Sequence, residues 1–185
     1  MANTDLAPSL LVAMDMVLDP NFRRSVVLML EHEVEQGALG LVVNRPSSFP
    51  MARLCESLEL AWRGSPGANV DWGGPVGENQ GWVVMDDAAA QGLEVVTLAP
   101  GLHWSRSQEA LRRVAGAPAL RARVFLGYAG WGAGQLEREI AEGSWLVVPV
   151  SPKLVFEEPH ERLWEQSVRS LGIEPATLIS SHGVN

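Results

Sequence analysis

The chain has 185 residues, of which 46% are hydrophobic and 19% charged, and a formal net charge of −8. That length suits one large domain with a sizeable core, and the composition excludes a disordered chain. The charge disfavours non-specific attraction to nucleic acid or an anionic membrane, and no apolar stretch reaches the roughly 20 residues of a membrane span.

The opening Met-Ala-Asn-Thr-Asp lacks the basic start of a signal peptide, which predicts a protein that is not secreted. Residues 9–14 read as a first strand. Val26–Glu31 and Leu39–Val43 follow as buried strands, because each is a continuous apolar run bounded by turn residues. Both runs end in polar residues, Glu31-His32 and Asn44-Arg45, and strand ends are where α/β proteins place binding groups. Gly37 and Gly40 suit a tight reversal between the two strands. Met51–Leu60 has helical spacing with Pro50 at its start. It carries Cys55, the only cysteine. One cysteine allows no internal disulfide and no cysteine-based zinc site, and it fits a reducing cytoplasm.

Gly64–Asn69 reads as a loop. Val70–Trp72 and Trp82–Met85 bracket a turn at Gly73-Gly74-Pro75, and Glu94–Leu98 reads as another strand. Ser105 with Gln108 suggests a capping box for a helix that ends at Gly116-Ala-Pro118. Val124–Leu126 predicts a buried strand that enters a glycine-rich turn, residues 127–134, ahead of a helix Gln135–Glu142. Strand Trp145–Val148 and a helix opened by Pro159 and closed by Gly172 and Pro175 complete the order, with a frayed tail Ser180–Asn185. Strands alternating with helices, some joined by short turns, predict one α/β domain over residues 1–185 with a mixed sheet flanked by helices.

The turn at 127–134 is the best place for a ligand, since a glycine loop before a helix offers free N–H groups to an anion. It fails as a nucleotide site. Ala133-Gly134 stand where a P-loop needs Lys and Ser or Thr, and Gln135 stands where the dinucleotide fingerprint needs Gly or Ala. Arg45 precedes Pro46 and is therefore held extended, with Asn44 beside it. Asn44, Arg45, Gly73, Gly74, Trp131, Gly134 and Gln135 form the candidate ligand-binding set, expected to line one shared hollow. Its occupant would be a small anionic ligand or a protein partner, with no cofactor required.

Catalysis has no positive signal. Glu31 and His32 would make a base and shuttle only if a bulge brought them to one face. No G-x-S-x-G elbow occurs, and His103, His160 and His182 lack metal-ligand spacing. Arg112, Arg113, Arg121 and Arg123 make residues 111–123 locally basic. A helix C-terminus followed by a surface strand accounts for these arginines better than a DNA contact, because no DNA-binding motif accompanies them. Most of the seven tryptophans are expected in the core.

Several blocks together resemble the AlgH/YqgE family of bacterial proteins over nearly the whole chain. They are Asp19-Pro-Asn-Phe-Arg-Arg-Ser-Val-Val27, Glu31-His32, Gly37-Ala-Leu-Gly-Leu-Val-Val-Asn-Arg-Pro46, Gly73-Gly-Pro-Val76 and Leu126-Gly-Tyr-Ala-Gly-Trp-Gly-Ala-Gly-Gln-Leu-Glu137, with Glu139-Ile140 and Trp145-Leu146. The resemblance implies an α/β fold built on a mixed sheet. It implies little about activity, since members are mostly uncharacterised and one name comes from a proposed role as a transcriptional regulator. Many relatives carry Leu-His after the Gly-Gly-Pro strand, where this chain has Met85-Asp86-Asp87.

Overall fold

The structure is a computed structural model that describes residues 5–180. Ten strands share one sheet: β1 (Leu10–Ala13), β2 (Val26–Glu33), β3 (Gly37–Val42), β4 (Pro46–Pro50), β5 (Asn69–Trp72), β6 (Val76–Met85), β7 (Val96–Ala99), β8 (Leu102–Ser105), β9 (Ala122–Trp131) and β10 (Trp145–Val148). The helices are α1 (Met51–Ser57), α2 (Asp87–Ala90), α3 (Gln108–Gly116), α4 (Gln135–Ala141), α5 (Pro152–Glu157), α6 (His160–Arg169) and α7 (Pro175–Ser180). The main strand order is β10-β1-β2-β3-β9-β6-β8-β7, with β4 and β5 joined to it through β9. All pairings are antiparallel except β5 with β9, so the sheet is mixed as expected.

Strand alternation divides the core. Leu10, Val12, Leu28, Leu41, Val84 and Phe125 point to one face, where α5 and α6 cover them with Leu154, Val155, Leu163 and Trp164. Their neighbours Leu11, Val27, Met29 and Val42 point to the other face and pack with Leu136 and Trp145 at the β10 end. Towards β6, that second face holds Val70, Val83 and Val124, covered by Met51 and Cys55 of α1 and Leu111 and Val114 of α3. Burial on both faces explains why these strands are unbroken apolar runs.

Some expected elements shift. The strand expected at Val124–Leu126 is ten residues long and runs through Trp131, so most of the supposed glycine loop is strand. Gly127, at φ 78°, bends it where Gly74 crosses at backbone distance. Gly40 lies inside β3 rather than in a reversal. Ser105 ends β8, and Ser107 is the residue that caps α3, its hydroxyl accepting the Ala110 N–H at 3.1 Å. Pro175 opens α7 instead of closing α6. The frayed tail was expected at residues that, beyond Ser180, lie outside the described ones.

Candidate functional site

The seven expected binding residues are placed in several surroundings. Asn44 is buried, 6% exposed; its Oδ1 accepts the Val26 N–H at 2.8 Å and its amide donates to the Arg24 carbonyl at 2.9 Å. It thereby holds Arg24 in a left-handed conformation, φ 53°, at the entrance to β2. Arg45 donates to the Arg23 carbonyl, and burial pushes its guanidinium down from the ordinary arginine value. Asn44 and Arg45 border a hollow of about 340 Å³ beside His160 and Trp164.

Gly73 donates its N–H to the Leu126 carbonyl and accepts from the Val42 N–H, both at 2.8 Å. A Cβ there would stand 2.3 Å from the Gly127 oxygen, and one on Gly74 would stand 2.0 Å from the Tyr128 carbonyl carbon. Both glycines therefore serve a close backbone crossing. Trp131 is buried against Trp145, and both indole N–H groups donate to Glu139 Oε2, at 3.0 and 2.8 Å. Gly134 takes the left-handed N-cap position of α4, and its N–H donates to Val34. Gln135 accepts from the Gly132 N–H and donates to Glu139. The single hollow expected of this set is not formed: Trp131 borders a cavity different from that of Asn44 and Arg45. The physical reason is that each group finds a partner inside the fold.

The bulge needed by the Glu31–His32 pair exists, a shift of β2 against β3 between Met29 and Glu31. His32 nevertheless has both nitrogens engaged. Its Nδ1 accepts the Leu6 N–H at 3.2 Å, which places the proton on Nε2, 2.6 Å from Glu137 Oε1. Its side chain is 3% exposed. Burial raises the Glu137 carboxyl, but hydrogen bonds from its own backbone N–H and from His32 outweigh it, leaving the group below the usual glutamate range. Cys55 is fully buried, which pushes its thiol up and away from reactivity.

A further cluster escapes the sequence patterns. Arg123 donates to Asp71 Oδ2 from Nε at 2.9 Å and to the carbonyls of Val155 and Val43. His160 Nε2 lies 2.6 Å from Asp71 Oδ1. Asp71 and Arg123 are about seven-eighths buried, and the cluster ties β5 and β9 to β3, α5 and α6. The only hint in the sequence was a charged residue between apolar neighbours in each strand. Among the described residues, no hydroxyl or thiol is a hydrogen-bond partner of His32 or His160. No group of acidic, His and Cys side chains among the described residues has metal-binding geometry, and no described helix is long and apolar enough to cross a membrane.

A larger opening lies elsewhere, over β5, β6 and β9 between α1 and α3. It is a cleft of about 940 Å³. Val70, Val83, Val124 and Leu126 form its floor, and Leu54, Leu58 and Leu111 its walls. Its outer wall exists because β6 leaves the ladder between Val76 and Gly81 while β9 advances only from Tyr128 to Leu126. The looped-out residues Glu78, Asn79 and Gln80 stand on the rim. Beside them, Arg106 lies over the Trp82 ring, 4.4 Å from its centroid, and donates to Gln80 at 2.9 Å. Sequence reasoning missed this cleft because its floor is ordinary strand.

The sequence profile of the AlgH-like family matches residues 10–176. The chain is 42% identical to a UPF0301 protein of Myxococcus xanthus over 98% of its own length and 99% of the relative's. A UPF0301 protein of Magnetococcus marinus is 39% identical over 96% of each chain. Among solved structures, the AlgH protein of Pseudomonas aeruginosa superposes with a TM-score of 0.77 at 34% identity, covering 100% of this chain and 98% of that one. A Corynebacterium diphtheriae protein superposes with a TM-score of 0.72 at 26% identity, covering 93% and 89%. This chain belongs to the AlgH-like family of UPF0301 proteins.

Proposed function

We propose that the protein is a non-catalytic binding protein and that the cleft between α1 and α3 holds its ligand, a small molecule with an apolar body and an anionic group. The carrying observation is the hollow left between α1 and α3, about 940 Å³ with an apolar floor and a polar rim, within the usual range of small-molecule sites. Arg106 supplies the only cationic side chain among the residues that line it. Trp82 and Gln80 hold the guanidinium on the rim, and Ser107 and Gln108 bring the positive end of α3 to the same side. Asp71, which also borders the cleft, has its charge engaged by Arg123 and His160.

A role in transcription by direct DNA contact gains nothing from the basic stretch. Arg112 pairs with Glu109, Arg113 donates to the carbonyls of Ala89 and Gln91, Arg121 pairs with Glu157, and Arg123 is interior.

Fluorescence titration with anilinonaphthalene sulfonate, itself an apolar anion, tests the reading. Saturable binding to one site is expected, abolished by Leu126→Trp, which fills the floor, and weakened about tenfold by Arg106→Gln, the loss of one charge-assisted contact. Binding untouched by both variants would remove the cleft from consideration.

A further inference from the structure

Separate from the cleft, a second hollow of about 740 Å³ opens between the β2–β3 hairpin and the last strand, β7. Its floor is apolar, formed by Leu30, Leu39, Leu98 and Tyr128. Three carboxylates, Asp5, Glu31 and Glu33, stand around it, and no Lys or Arg lines it. Among the described residues, Glu31 and Glu33 have no side-chain hydrogen bond or ion pair, and both are exposed. Val76 and Val96, on the two sides of the hollow, are 42% and 48% exposed.

Strand β7 borders this hollow with Val96, Thr97 and Leu98, and among the described residues it ladders with β8 alone. No other described strand pairs with its second edge. An edge of this kind is ordinarily blunted by charge or proline. The β4 edge follows that rule, since proline stands at both of its ends; β7, Val-Thr-Leu-Ala, has neither charge nor proline within its four residues, although Pro100 follows it and its pairing shifts between Thr97 and Ala99. A free edge, an apolar floor and a rim of one sign of charge fit one kind of occupant. A second copy of this chain would bring a net charge of −8 against that rim.

We propose that this hollow docks a short extended segment of a partner protein in which Lys or Arg alternates with aliphatic residues. The segment adds as a strand to the free edge of β7. Its backbone completes the ladder, and the two-residue period sends aliphatic side chains to the floor and basic ones towards Glu31 and Glu33.

The test uses a fluorescein-labelled peptide of about eight residues alternating Lys and Val, enough to span a four-residue edge with overhang. Its controls are the Glu–Val counterpart and a Lys–Val peptide N-methylated at alternate backbone positions. Anisotropy should show saturable binding of the Lys–Val peptide that weakens with salt. The double variant Glu31→Lys/Glu33→Lys should weaken it at least about tenfold while keeping the wild-type circular dichroism spectrum. N-methylation should abolish binding, because it removes the ladder donors. The proposal falls if the Lys–Val peptide fails to bind at low salt or if the Glu–Val peptide binds equally. It also falls if the double variant binds normally, or if the N-methylated peptide or spermidine replaces the Lys–Val peptide on equal terms, which would mark a cation pocket. Sedimentation showing a dimer that Glu31→Lys dissociates would assign the surface to self-association and overturn it.

Discussion

The corner around Asn44, Gly73 and Trp131 and the cleft between α1 and α3 stand on the same sheet and share β9, yet they are built on opposite principles. At the corner, polar atoms are consumed by the fold. Asn44 bonds two backbone groups, Glu139 takes two indole N–H groups, and Gly73 bridges β3 and β9. At the cleft, exposed Phe49 and Leu58 stand above the buried Val70, Val83 and Val124, while the rim groups keep hydrogen-bonding capacity. Tight polar saturation rigidifies a structure and leaves nothing for a ligand. Exposed apolar lining keeps its burial energy in reserve for one.

The contrast is sharpest at Gly74. Gly74→Val should abolish folding outright, because even a Cβ meets the Tyr128 backbone at 2.0 Å; the expected readout is insoluble expression. Trp131→Ala should cost about 3–5 kcal/mol in urea denaturation, as for other buried tryptophans. Asn44→Ala leaves the Val26 N–H and the Arg24 carbonyl unpaired and should cost about 2–3 kcal/mol. Changes at the cleft should separate binding from stability. Arg106→Gln removes one cation–π contact made by an exposed guanidinium over the face of the Trp82 ring and should cost no more than about 1 kcal/mol, with its main effect on anion binding. If Trp131→Ala proved neutral and Arg106→Gln severe, the two regions would have been assigned the wrong way round.

The smallest effect concerns pH. Glu137 is held below the usual glutamate range in the folded state. Its contribution is therefore present above the unfolded value and disappears as pH falls through the folded one. Stability measured between neutral and acid pH should drop on that limb, and Glu137→Gln should flatten the drop by lowering stability near neutrality while leaving the acid end unchanged. An unchanged slope would show that other carboxylates set the acid limb.

Fold class was legible because continuous apolar runs such as Val26–Leu30 and Leu39–Val43 allow only strands buried on both faces. Boundaries moved where a polar or glycine residue was taken as a stop. Glu31–Glu33 continue β2 as an exposed end, and Gly127 bends β9 without ending it. Strand β8 was missed because Leu-His-Trp-Ser is too short and mixed to show a period, and its Ser105 was taken for a cap. The candidate residues were read as free because sequence shows a donor but never its acceptor. The acceptor of Asn44 is 20 residues away, at Arg24, and the carbonyl that Arg123 reaches at Val43 is 80 away.

The order of apolar and polar residues, by itself, determined that this chain builds a mixed sheet with helices on its faces, and its motifs placed it in its family. Periodicity is a local property, so it survives reading one residue at a time. Only the tertiary structure decided which polar groups are consumed and where apolar surface stays open. Both depend on elements distant in sequence: α1 and α3 leave a hollow between them over β5, β6 and β9, and among the described residues β7 pairs with β8 alone.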